Sequence, residues 1–97
     1  MPEFLVEAYS PPVDRDRGPS AEDVAEAAGW VAREGRPVRL LHTILLPEDE
    51  TCLYLFEAES IAAVAEAANR AGLRFERSCQ ARSAWTSGTA RRFASAP

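Results

Sequence analysis

The chain has no lysine: all eleven of its basic residues are arginine. Lysine codons are AT-rich and those of arginine and alanine GC-rich, so this bias points to a GC-rich genome, such as that of an actinobacterium. Cysteine is scarce too. Cys52 and Cys79 make neither a disulfide framework nor a zinc-ligand spacing, and Cys52, inside an apolar segment, reads as a small buried hydrophobe. There is one histidine, His42. The chain lacks a phosphate loop, a nucleophile elbow and a zinc motif. That favours a binding role over an enzymatic one and names no reaction. No apolar run approaches the length of a membrane span. The start, Met1-Pro2-Glu3-Phe4, has no basic segment followed by an apolar one, so no signal peptide is expected and the cytoplasm is the expected compartment. The net charge of -4 argues against nucleic acid as a partner. Arg82, Arg91 and Arg92, with no acid after residue 80, are too sparse for a nucleic-acid arm.

What is present suits one small globular domain. Phe4-Leu5-Val6-Glu7-Ala8-Tyr9 predicts a strand, and the Pro-rich, charged residues 10–19 predict a loop. Ser20, with Asp23 three residues on, predicts a capping box opening a helix whose inner stripe is Val24, Ala27, Ala28 and Val31. Gly35 and Pro37 end it. Leu40–Leu46 and Cys52–Phe56 predict a hairpin around the acidic turn Glu48-Asp49-Glu50, a solvated loop rather than a calcium site. Ser60 caps a second helix with Ile61, Val64, Ala65 and Ala68 inward, and Leu73–Cys79 is the last strand.

The order strand, helix, strand, strand, helix, strand is the ferredoxin-like βαββαβ pattern of the α+β class. It predicts a four-stranded antiparallel sheet with both helices on one face and strand order 4-1-3-2. Residues 1–80 form this domain, and residues 81–97 form a flexible tail that Trp85 and Phe93 could pin down.

The hairpin is apolar on both faces, whereas a strand with one wet face alternates apolar and polar. With a turn centred on Asp49-Glu50, Leu46 faces Leu53, Ile44 faces Leu55 and His42 faces Glu57. One face then carries Leu40, His42, Ile44, Leu46, Leu53, Leu55 and Glu57. The other carries Leu41, Thr43, Leu45, Tyr54 and Phe56, has no charge, and suits the helix-covered core. The helix-free face is too apolar for water. A homodimer through that face is the expected answer, and a fold-back of the tail over it is the competing one.

If Phe4, Val6 and Ala8 face the helices, then Leu5, Glu7 and Tyr9 join His42 and Glu57 on the helix-free face. Imidazole and carboxylates together suit a divalent transition ion, giving His42, Glu57 and Glu7 as candidate metal ligands. The same groups beside Tyr9, Ile44 and Leu55 could instead line a pocket for a small organic molecule. The plain reading is structural: His42 hydrogen-bonds Glu57, and Glu57 pairs with Arg77 or Arg39.

Four segments, in order, carry a family resemblance: Pro2-Glu3-Phe4-Leu5-Val6-Glu7, Val38-Arg39-Leu40-Leu41-His42-Thr43, Leu55-Phe56-Glu57-Ala58-Glu59-Ser60 and Asn69-Arg70-Ala71-Gly72-Leu73. Over about residues 2–80 the chain resembles the small bacterial nickel-responsive, nickel-binding proteins, whose domain is otherwise of unknown function. The resemblance implies a ferredoxin-like homodimer and nickel as the ion. Where members of that family carry paired histidines after the first strand, this chain has Ala8-Tyr9-Ser10. The expected function is therefore that of a small dimeric protein binding a divalent metal such as nickel. The alternatives are a dimeric α+β barrel that binds or transforms a small apolar molecule, and a ligand-free interaction module.

Overall fold

A computed structural model describes residues 1–9 and 19–82. The expected loop at residues 10–18 and the tail from residue 83, with Trp85 and Phe93, lie outside the described residues. The elements are β1 (Glu3–Tyr9), α1 (Ala21–Arg33), β2 (Val38–Leu46), β3 (Thr51–Ala58), α2 (Ile61–Arg70) and β4 (Phe75–Ala81). They form one antiparallel sheet in the order β2-β3-β1-β4, the expected ferredoxin-like arrangement. The last strand starts and ends two residues later than expected, and Leu73 is instead a buried core residue before it.

Local chemistry sets the helix ends. The Ser20 hydroxyl accepts from the Asp23 N–H at 3.1 Å, and the Asp23 carboxylate accepts from the Ser20 N–H at 3.0 Å. Ser60 caps α2 by accepting from the Ala63 N–H at 3.2 Å. Gly35 and Gly72, with φ of 99° and 76°, let the chain leave each helix through the left-handed region.

The core lies between the helices and one sheet face. Phe4, Val6 and Ala8 of β1 and Cys52, Tyr54, Phe56 and Ala58 of β3 alternate into it. They meet Val24, Ala27, Ala28 and Val31 of α1, the predicted stripe. On α2 the inner residues are Ala63, Val64, Ala67 and Ala68. This corrects the expected stripe: Ile61 is exposed and Ala65 only half-buried. Small residues at 63, 67 and 68 let α2 approach the sheet and α1 closely, so it is this alanine-rich face, not the larger Ile61, that turns inward.

The hairpin register also differs from expectation. Pro47–Asp49 form a single 3-10 turn and Glu50 takes a left-handed conformation, with φ 51° and ψ 39°. The connection therefore uses four residues, and Leu46 pairs with Thr51, Ile44 with Leu53 and His42 with Leu55. The shift is by two residues, so these side chains keep their predicted faces. A bulge at Leu41 then breaks the alternation. Beyond it Leu40 pairs with Phe56 and packs against the core, and Arg39 faces Glu57. The placement of Leu40 on the helix-free face is thereby corrected.

Candidate functional site

The helix-free face is a grid of four rows, set by the strand pairings. Taken across β2, β3, β1 and β4, the row at the bottom is Arg39, Glu57, Glu3 and Ala81. Above it come His42, Leu55, Leu5 and Cys79. The third row is Ile44, Leu53, Glu7 and Arg77. The row at the top, beside the hairpin turn, is Leu46, Thr51 and Tyr9. The centre is therefore Leu5, Leu53 and Leu55 with Ile44 beside them, while charge gathers in the bottom row and at the Glu7–Arg77 pair.

This face is only partly covered. Leu5, Leu53 and Leu55 are half-buried by their neighbours, Ile44 is 50% exposed and Leu46 is 36% exposed. In water, each such side chain forgoes part of the roughly 1.5–3 kcal/mol that full burial contributes. Exposed apolar surface of this extent normally marks an interaction site. Edge strand β2 adds Leu45, 45% exposed on the other face near the same end.

The candidate ligands separate into two places. His42 is exposed at the β2 edge, opposite Leu55. Glu57 is its diagonal neighbour on β3, but Arg39 stands directly opposite Glu57 and donates to its Oε1 at 3.2 Å. Glu7 lies on β1, beyond β3 from His42, between Leu53 and Arg77. Among the described residues, no three His, Cys, Asp or Glu side chains come together so as to hold a metal ion. A single copy thus brings His42 and Glu57 near each other and leaves Glu7 apart. Four or more donors are usual for a divalent transition ion, so His42 and Glu57 of one copy could supply only two of the positions around such an ion.

Of the pocket candidates, Ile44 and Leu55 share the apolar centre, whereas Tyr9 stands in the outer row, more than half exposed. Its hydroxyl donates to Glu50 Oε2 at 2.9 Å, tying the end of β1 to the hairpin turn. A cavity of about 340 Å³ lies elsewhere, lined by Asp23, Glu26, Ala27 and Trp30 of α1 with Arg70 and Ala71. The buried Tyr54 is no acid–base group near neutrality: desolvation, with Cys52 as a neighbouring hydrogen-bond partner, pushes its phenol well above the usual range.

Among the members of the face missed from sequence are Glu3 and Cys79. Glu3 stands opposite Glu57, and Cys79 opposite Leu5. Glu3 follows from the same alternation that assigned Leu5, Glu7 and Tyr9. Cys79 required the register of β4 against β1, which no local pattern gives. The chain matches no known protein-family model, no curated protein and no solved structure.

Proposed function

We propose that the protein works as a homodimer whose two helix-free sheet faces pack together, and that it binds a divalent metal ion such as nickel at the edge of that interface. The observation that supports the dimer is the apolar centre Leu5, Leu53, Leu55 and Ile44 on a face that neither helix covers. Sheet-on-sheet packing is the ordinary way to bury such a face. In support of the metal reading, the single imidazole of the chain lies diagonal to a carboxylate on this face. The resemblance to the nickel-responsive proteins points to the same ion. His42 and Glu57 are the two protein donors of one copy, with water filling the remaining positions, so the affinity is modest.

Two measurements test this. Sedimentation at micromolar concentration is expected to give a dimer; a monomer refutes the assembly. Calorimetric titration with nickel is expected to show weak binding that His42→Ala abolishes. A stable dimer with no heat on titration refutes the metal reading and leaves an interaction module or the small-molecule alternative.

A further inference from the structure

We infer that the second copy seats with its two-fold axis running across the strands, so that each row of the grid faces the row of opposite rank in the partner. This inference rests on the homodimer proposed above. A two-fold axis relating two packed faces lies in the plane between them, and every contact it makes occurs twice. Two simple placements exist. With the axis along the strands, each row faces itself with the strand order reversed. With the axis across the strands, each strand faces its own counterpart and the rows reverse.

The bottom row distinguishes them. Placed on itself, the row Arg39-Glu57-Glu3-Ala81 sets Glu57 against the partner's Glu3, twice. It also brings Arg39 at one sheet edge toward the partner's Arg82, which follows β4 at the other. Both are like-charge contacts in a surface losing its water, where they are most costly. That placement has one favourable feature, the acidic turn near the partner's Arg77, but it places the side chains of Ile44 and Leu53 on Arg77 and Glu7.

Placed across the strands, the same charged row meets the uncharged row Leu46-Thr51-Tyr9. The acidic turn Glu48-Asp49-Glu50, adjoining Leu46, then lies beside the partner's Arg39, a contact of opposite charge. The two middle rows pack on each other, with Leu53 on the partner's Leu55 at the axis; Leu5 and Cys79 then meet the partner's Glu7 and Arg77, so this region does not separate the two placements and the bottom row does. Packed sheets are rotated by about 30°. That rotation moves contacts sideways by about one strand at the ends and leaves the opposition of rows unchanged. His42 lies in a row that adjoins the axis and faces the partner's Ile44. The partner therefore gives it no carboxylate, and the shell around any ion there is completed by water.

The test uses full-length chains with one cysteine on this face, in a Cys79→Ser background, treated with a short bis-maleimide. Across the strands, the two copies of residue 42 lie roughly 7 Å apart along the sheet, and the two copies of residue 57 roughly 20 Å apart, from the rise per strand residue. Along the strands the order inverts. Residue 57, near the centre, then meets its own copy closely, while residue 42 at the edge is some three strand spacings from its own. The expected result is a covalent dimer from His42→Cys and none from Glu57→Cys. A covalent dimer from Glu57→Cys, or from neither chain while sedimentation shows a dimer, overturns the inference and leaves the dimer standing. Monomers in sedimentation overturn the dimer itself, and the inference with it.

Discussion

Arg39 and Glu57 face each other across β2 and β3 and form a 3.2 Å ion pair in the position that simple alternation assigns to His42. The two-residue shift of the hairpin register and the bulge at Leu41 together make the exchange, and the residue inserted at the bulge turns Arg39 to the helix-free face and Leu40 to the core. Arg39 is largely exposed, so the pair contributes about 0.2–1 kcal/mol at most. Its larger consequence concerns Glu57. A guanidinium bound to this carboxylate competes with any cation that would share it with His42. Arg39→Ala is therefore expected to cost little stability and to tighten nickel binding several-fold. His42→Ala should abolish binding at equally small cost. Calorimetry on the two variants checks this, and weaker binding by Arg39→Ala would contradict a shared His42–Glu57 site.

The outer end of the hairpin holds a second linked pair. Glu50 occupies the left-handed region, which costs a residue with a Cβ roughly 1–2 kcal/mol. Its side chain accepts from the Tyr9 hydroxyl at 2.9 Å. The two effects oppose each other and a double-mutant cycle separates them. Tyr9→Phe is expected to lower stability by about 0.5–1 kcal/mol in the parent chain. In a Glu50→Gly background the loss should be smaller, because that acceptor is already gone. Urea unfolding of the four chains measures this; equal losses in both backgrounds would mean that the bond contributes nothing.

The acid response of the helix layer rests on Arg70. Its guanidinium donates to Glu34 at 2.6 Å and to Glu66 at 3.0 Å. The hydrogen bond from Arg70 holds the Glu34 carboxyl below the ordinary carboxylate range. A carboxyl depressed in the folded state stabilises the fold above its unfolded pKa, and that contribution is lost as pH falls through the folded value. Arg70→Ala is expected to return Glu34 to the ordinary range and to make unfolding less sensitive to acid. Carboxyl titration by NMR reads the first effect, and urea midpoints at neutral and acid pH read the second. An unmoved Glu34 titration would contradict the assignment.

Much of the architecture was legible because its signals are local. Ser20 with Asp23, Ser60, and the glycines at 35 and 72 mark helix ends that the structure reproduces. The alternation of Phe4, Val6 and Ala8 correctly assigned Leu5, Glu7 and Tyr9 to one face. What was not legible depends on the backbone between these signals. The left-handed Glu50 and the bulge at Leu41 have no sequence mark, since neither is glycine, and together they set which side chain faces Glu57. The His42–Glu57 pairing rested on a register that a four-residue connection shifts by two.

Leu55 and Phe56 are consecutive residues of β3 with opposite surroundings. Phe56 is fully buried beneath the helices, whereas Leu55 lies at the centre of the helix-free face, paired with His42 and Leu5. The same chemical change should therefore fail in different ways. Phe56→Asp places a carboxylate in a core where nothing is positioned to pair with it, a penalty of several kcal/mol. Domains of this size have total stabilities of roughly 5–15 kcal/mol. It is expected to abolish folding, seen as lost helical circular dichroism. Leu55→Asp places its carboxylate where the second copy is proposed to pack, leaving the core intact. It is expected to yield a folded monomer with nearly parental circular dichroism and halved mass in sedimentation. A Leu55→Asp chain that stays dimeric would move the interface off this face. One that unfolds like Phe56→Asp would show that Leu55 supports the fold of the single copy instead.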